Sequence, residues 1–317
     1  MIPEFFPREQ YYCVLDEQPD FLVPADELEP YRSPGGGPLI VNPRCWMGWQ
    51  GDLPPSFGPG TAHDEQLYCN PWMIWVDDPD RATVWPYWLG RDWAHLLQDL
   101  APGRGYDGGL PDGVVDVLRI ADILTTSDLP ERRRRAWWDA AWAGAPQLAT
   151  SGVLALQHVL PPFQIGALRR YYRYHTRAGT FTLGDDQTAA RYVAYDEPLT
   201  RYVHDQLTRT VSDLVGRPVV PSYSYLAFYQ GGAVLEPHTD RAACEYTVSL
   251  CIDATPDPRT HGGWPLWVQA ESGPVSLVQG IGDAVLFRGR YLSHWRSQLP
   301  EGHTSSSVLF HFVDAVP

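Results

Sequence analysis

Pro237-His238-Thr239-Asp240, followed by Gly282-Asp283-Ala284-Val285-Leu286-Phe287 and then by His294, is the stretch on which the reading of this chain turns. Two imidazoles and one carboxylate are the donor set of a mononuclear non-haem iron(II) site. Such a triad occupies one face of the ion and leaves the opposite positions open. The spacing has a physical reason. In an extended strand, residues i and i+2 point to the same side. His238 and Asp240 therefore aim at one ion, with Thr239 turned away. His294 has to come from a different strand that crosses nearby.

The chain has 317 residues, 44% hydrophobic and 13% aromatic, which is globular rather than disordered composition. A net charge of -14 argues against a duplex-binding protein, which needs a basic face, and against docking on an anionic membrane. All 24 basic residues are Arg, which together with the many Ala, Gly and Pro suggests a GC-rich bacterial genome. The five cysteines, Cys13, Cys45, Cys69, Cys244 and Cys251, are odd in number and lack a CxxC pair, so reduced cytoplasm is the expected compartment. Met1-Ile2-Pro3-Glu4 does not read as the start of a signal peptide, and no apolar run reaches membrane-spanning length.

Two regions differ in texture. Residues 1–147 read as an irregular, Trp-rich, partly helical accessory region. Cys45-Trp46-Met47-Gly48-Trp49 and Trp72-Met73-Ile74-Trp75 sit among turn residues, with Trp85 and Trp88 close behind. Residues 91–100 and 112–143 read as helical, the second interrupted near Ser127 and Pro130. Its Arg132–Arg135 run reads as a solvated face. Gly144-Ala145-Pro146 is expected to end it. Residues 148–317 follow a clearer plan. Val153–Leu160 reads as a strand, Pro161-Pro162 opens a helix to about His175, and Leu199–Leu214 is a second helix. Short β-rich runs follow at 222–229, 233–238, 245–252, 264–268, 275–278, 283–287 and 306–313. The fold class expected is mainly β with flanking helices, in the manner of a sandwich or jelly roll.

The second region resembles the prolyl-4-hydroxylase-like branch of the iron(II)/2-oxoglutarate oxygenases. The likeness lies in Tyr229-Gln230-Gly231-Gly232-Ala233-Val234-Leu235-Glu236-Pro237-His238-Thr239-Asp240, in Glu245–Leu250, in Gly282–Phe287 before His294, and in the closing Leu309-Phe310-His311-Phe312. The resemblance covers about half the chain. It implies a double-stranded β-helix with iron(II) at its open end, held by His238, Asp240 and His294. It further implies 2-oxoglutarate and O2 as co-substrates, giving succinate, CO2 and an oxidised C–H bond. Because Asp240 is present, where some relatives open a halide site by losing the carboxylate, a halide-free oxidation is expected.

The resemblance places Tyr229 beside the co-substrate. It also implies an Arg or Lys on the last strand to grip the distal carboxylate, where a planar guanidinium makes a bidentate contact. This sequence has Gly302-His303-Thr304-Ser305-Ser306-Ser307 there instead. Arg296, two residues past His294 and so on the same face of a strand, is the leading substitute. His303 and Ser305 are further candidates, Ser307 could donate a hydrogen bond, and Arg288 and Arg290 read equally well as surface charges. Arg241 reaches the cleft only if a turn follows Asp240. His311 and His261 read as packed and as loop residues. Trp264 and Trp267 read as packing or as the rim of the site. The expected partner is a peptide, amino-acid-derived or specialised-metabolite substrate. The competing readings are an iron oxygenase independent of 2-oxoglutarate, a non-catalytic binding module, and, more distantly, a zinc hydrolase.

Overall fold

In the computed structural model, the residues described are 37–47, 73–78, 81–88, 99–126 and 129–315, the side chains of 88 and 129–138 excepted. The chain forms two compact units: Met1–Asp139 with Pro161–Tyr171, and Ala140–Leu160 with Tyr172–Pro317. Residues 91–98, expected to be helical, and Cys13, Trp49, Cys69 and Trp72 lie outside the described residues.

In chain order the elements begin with β1 (Ile40–Val41), β2 (Cys45–Met47), β3 (Met73–Asp78), β4 (Thr83–Trp88), α1 (Asp112–Ile120), β5 (Leu124–Thr125) and α2 (Leu129–Ser151). They continue with β6 (Val153–Leu156), α3 (Pro162–Arg177), β7 (Thr182–Leu183), β8 (Arg191–Tyr195), α4 (Pro198–Val215) and β9 (Val219–Gln230). The last are β10 (Leu235–His238), β11 (Tyr246–Thr255), α5 (Pro258–His261), β12 (Leu266–Ala270), β13 (Gly273–Leu277), β14 (Ala284–Phe287), β15 (His294–Arg296) and β16 (Thr304–Asp314). The protein is mainly β, with several antiparallel sheets and some helices. No described helix is long and apolar enough to cross a membrane.

The first unit corrects the expectation of an irregular region. β2, β3 and β4 form a three-stranded antiparallel sheet whose Met47, Ile74, Trp75, Val84 and Tyr87 are buried. Trp46, Trp75, Trp85 and Trp88 are strand residues, with Trp75 paired to Trp46 on one side and Pro86 on the other. The helix expected over 112–143 is two helices, α1 and α2, with β5 between them. Nor does α2 stop at Gly144-Ala145-Pro146; it continues through Pro146 to Ser151. Its last turn is closed by hydroxyls, with Thr150 Oγ1 and Ser151 Oγ donating back to the carbonyls of Pro146 and Gln147.

The second unit contains a seven-stranded sheet, in the order β6-β14-β11-β16-β9-β8-β7, and a four-stranded one, β10-β15-β12-β13. Their facing apolar residues make a shared core: Val153, Val285 and Phe287 from the larger sheet pack with Leu266 and Val268 of β12. Each such side chain contributes roughly 1.5–3 kcal/mol by leaving water. The central strand of the seven alternates. On β16, Val308, Phe310 and Phe312 take one face and Ser305, Ser307 and His311 the other, all buried. A buried polar face on a central strand is costly unless something uses it.

The apolar face of β16 packs under α4. Glu197 caps that helix, accepting from Leu199 N–H and Thr200 N–H. Pro198 supplies the fixed φ of a first turn, and Gly216 ends it at φ 74°. His204, on the buried face of α4, lies edge-on to Phe312 at 4.5 Å and beside Phe310 at 5.4 Å. Burial, helped by His311, lowers its pKa from 6.5 to about 3. The unfolded chain takes up this proton near pH 6.5 and the folded chain only near 3. The stability due to neutral His204 is thus complete above 6.5 and is lost as pH falls towards 3, by about 1.4 kcal/mol per pH unit. His204→Phe should flatten the dependence of the urea midpoint on pH between 6 and 4 by one proton's worth. An unchanged slope would contradict this account.

Candidate metal centre

The antiparallel register of β10 with β15 sets His238 opposite His294 and Leu235 opposite Arg296, with an irregularity between Leu235 and His238. The two imidazole rings lie 4.3 Å apart. β10 ends at His238, so Asp240 is not on the strand as the i, i+2 argument had it. Asp240 is held instead by its own N–H, which donates to the Gly289 carbonyl at 2.9 Å. The three donor atoms nonetheless converge, all within 4.8 Å of one another. Asp240 Oδ1 is 3.9 Å from His238 Nε2 and 3.5 Å from His294 Nε2.

The outer hydrogen bonds decide what each ring can do. His238 Nδ1 lies 2.8 Å from the Glu236 carbonyl and His294 Nδ1 lies 3.0 Å from the Leu292 carbonyl. A carbonyl only accepts, so each Nδ1 carries the proton and each Nε2 presents its lone pair inward. This is the arrangement that orients imidazoles toward a cation. Burial and the adjacent His294 hold His238 below the usual imidazole range. Burial alone would raise the Asp240 carboxyl, but His294, His311 and the Thr247 hydroxyl outweigh it and hold the group at about 2. An ionised carboxylate and two imidazoles whose Nδ1 atoms are both tied to carbonyls suit a divalent cation.

The triad opens into a cavity of about 270 Å³ that also holds Tyr229, Arg296, Arg191 and Ser307. Arg296 is 5% exposed. Its Nη1 donates to the Trp264 carbonyl at 2.5 Å, its Nη2 donates to Gln279 Oε1 at 2.9 Å, and its plane lies 4.9 Å from the Trp264 ring. Among the described residues no carboxylate pairs with it, and burial lowers its pKa. Ser307 Oγ is buried without a hydrogen-bond partner among the described residues. A buried cation without a counter-ion and an orphaned hydroxyl, on the walls of one cavity, fit an anion.

The other expected residues separate. His303 and Ser305 line a smaller cavity of about 30 Å³, which shares Arg296 and Ser307 with the larger one but not the triad. Arg288 and Arg290 stack on Tyr291 and line neither. Arg241 is exposed and does line the larger cavity, because the strand has already ended. His311 is buried 3.0 Å from Thr247 Oγ1. His261 closes the short α5 and is exposed. Trp264 packs on Tyr229 at 4.9 Å, and Trp267 stacks on Trp295 at 6.0 Å.

No motif or spacing pointed to Arg191, which lies on β8, a strand the pattern did not reveal. It is 3% exposed. Its Nη1 donates to Tyr229 Oη at 2.9 Å and its Nε to Asp185 Oδ2 at 2.8 Å, and its guanidinium lies 5.4 Å from the rings of both Tyr225 and Tyr229. Asp185 also accepts from Tyr225. Because Tyr229 Oη accepts from Arg191, its own proton is free for a ligand.

No protein-family model matches the chain, and no curated protein matches it. Among solved structures the chain is similar to a Pseudomonas putida prolyl-4-hydroxylase, at 19% identity and TM-score 0.45, over 56% of this chain and 100% of that one. It is similar to a Trichoplax adhaerens prolyl hydroxylase in complex with a hypoxia inducible factor peptide fragment, at 16% and 0.47, over 57% and 92%. A third is the epimerase SnoN in complex with Fe3+, alpha ketoglutarate and nogalamycin RO, at 13% and 0.48, over 56% and 84%. Likeness at this level carries no function, which has to come from the donor set.

Gly289 supplies a test of that set. A Cβ there would overlap both Asp240 Oδ2 and Thr247 Oγ1. Gly289→Ala should displace the carboxylate and weaken iron(II) binding by more than about tenfold in an anaerobic titration. The circular dichroism spectrum should not change. Undiminished affinity would mean that Asp240 is not where the ion binds.

Proposed function

We propose that this protein is an iron(II)- and 2-oxoglutarate-dependent oxygenase that hydroxylates or otherwise oxidises a C–H bond. The observation that carries the reading is Arg296: a buried guanidinium with no carboxylate partner among the described residues, lining the same cavity as a His2Asp donor set. A dicarboxylate co-substrate answers both needs at once. One end sits at the metal, and the other neutralises Arg296. On this reading the seven- and four-stranded sheets are the two walls of a double-stranded β-helix, and residues 1–147 are an accessory region.

His238 Nε2, Asp240 Oδ1 and His294 Nε2 would hold the iron. Bound iron(II) and 2-oxoglutarate supply the oxidising chemistry, in which O2, the keto acid and R–H become R–OH, succinate and CO2. The remaining work belongs to the chain. Arg296 grips the distal carboxylate through its unused N–H groups, and Ser307 Oγ, buried and unpartnered, donates beside it. Tyr229 Oη gives its free proton to the same ligand. Phe287, edge-on to His294 at 4.8 Å, keeps water off the inner side of the site. The open side, with Tyr195, Tyr223 and Arg241, is left for a substrate, which is a peptide, an amino-acid derivative or a specialised metabolite.

The test is conversion of 2-oxoglutarate to succinate by the iron-loaded protein in air. Even without its substrate the wild type should form succinate slowly, and His238→Ala should form none. Arg296→Gln removes the charge and leaves a shorter, neutral amide. It should raise the concentration of 2-oxoglutarate needed for half-maximal turnover by about a hundredfold, equivalent to roughly 2.7 kcal/mol. Wild-type protein that binds iron but leaves 2-oxoglutarate intact would exclude the co-substrate.

A further inference from the structure

The two oxygens of Asp240 are held differently. Oδ1 faces the two Nε2 atoms, at 3.9 and 3.5 Å. Oδ2 accepts from Thr247 Oγ1 at 2.9 Å, and Thr247 Oγ1 is in turn 3.0 Å from His311 Nδ1. A hydroxyl has one proton to give, and an ionised carboxylate can only accept. The Thr247 proton therefore goes to Asp240. The lone pair left on Thr247 must then accept from His311, so His311 Nδ1 carries a hydrogen. The direction of the whole chain follows: His311 donates to Thr247, and Thr247 donates to Asp240.

The sheet puts these groups in line. Thr247 on β11 is the direct partner of His311 on β16 and, on its other side, of Phe287 on β14. Both polar residues are fully buried. Gly289, just past β14, leaves open the space that a side chain would take from Thr247 and Asp240. Neither the packing nor the solubility of a β-sheet asks for a threonine and a histidine buried face to face.

We infer that Thr247 and His311 are positioning residues that fix which oxygen of Asp240 meets the ion; this rests on the iron reading above. The relay ties Oδ2 back into the sheet, so that Asp240 binds through Oδ1 alone. A carboxylate free to turn could bind through both oxygens and occupy a position that the co-substrate or O2 requires.

Cobalt(II), whose visible spectrum reports its ligands, is the probe. Thr247→Val keeps the shape and removes the hydroxyl. It should weaken cobalt(II) binding by about 10- to 100-fold and change the band shape, while Thr247→Ser restores both. His311→Asn, whose amide N–H can stand where Nδ1–H stood, should stay nearer the wild type than His311→Leu. Thr247→Val combined with His311→Leu should be no worse than Thr247→Val alone, because the two act as one unit. Melting temperatures measured without metal separate loss of fold from loss of positioning. Wild-type affinity and spectrum in Thr247→Val, or effects of the two substitutions that simply add, would overturn the relay and leave the iron reading standing. Wild-type protein that takes up no cobalt(II), or whose uptake survives His238→Ala, would overturn the iron reading and the relay with it.

Discussion

The site depends on the pairing of two very short strands. β10 and β15 have four and three residues, and their antiparallel contact sets His238 against His294 and Leu235 against Arg296. Everything that faces the cavity from β15 follows from that register. His294 and Arg296 are buried on one side, and Trp295 points to the other, where it stacks on Trp267. A slip of one residue would turn both functional side chains outward and Trp295 inward. The Trp267–Trp295 stack, nearly parallel at 9°, opposes that slip from the outer face. The two histidine donors and the guanidinium are therefore fixed together by one strand pair.

Electrostatics separates the two buried arginines of the cavity. Arg191 is neutralised by Asp185 and wedged between Tyr225 and Tyr229, so its charge is already spent inside the protein. Among the described residues, Arg296 has only a carbonyl, an amide oxygen and a ring face. Burying a cation that way costs several kcal/mol of solvation that neutral partners do not restore. A fold tolerates such a cost at a place where a ligand makes it good. Arg191 has a different part: it holds Tyr229 in place and ties the Asp185 turn to the cavity wall.

Much of this was legible in the sequence, and the misses have physical causes. The placement of Arg296 beside His294 needed only the two-residue period of a strand, which is local. Most strands of the second unit announced themselves by turn residues on either side. Asp240 reached its place by another route than the one expected, a backbone hydrogen bond to Gly289, whose sequence separation hides it. Arg191 was hidden because β7 and β8 are short and flank Gly184-Asp185-Asp186-Gln187, which reads as loop. The relay was hidden because Thr247 and His311 are 64 residues apart and meet only through sheet register. In the first unit, β2 finds its partner β3 across more than twenty residues, so no local alternation betrays the sheet. α2 runs through Pro146 because the rest of that helix outweighs one proline's missing N–H.

The central claim is that the His2Asp set and Arg296 hold one chelate between them. Its most direct test is the visible absorption of the anaerobic protein as iron(II) and then 2-oxoglutarate are added. The account predicts a weak charge-transfer band that appears only when both are present and saturates at one 2-oxoglutarate per iron. The band should be absent in Asp240→Ala. At the same 2-oxoglutarate concentration it should also be lost in Arg296→Ala. Iron binding with no band in the wild type, or a band of full strength in Arg296→Ala, would contradict it.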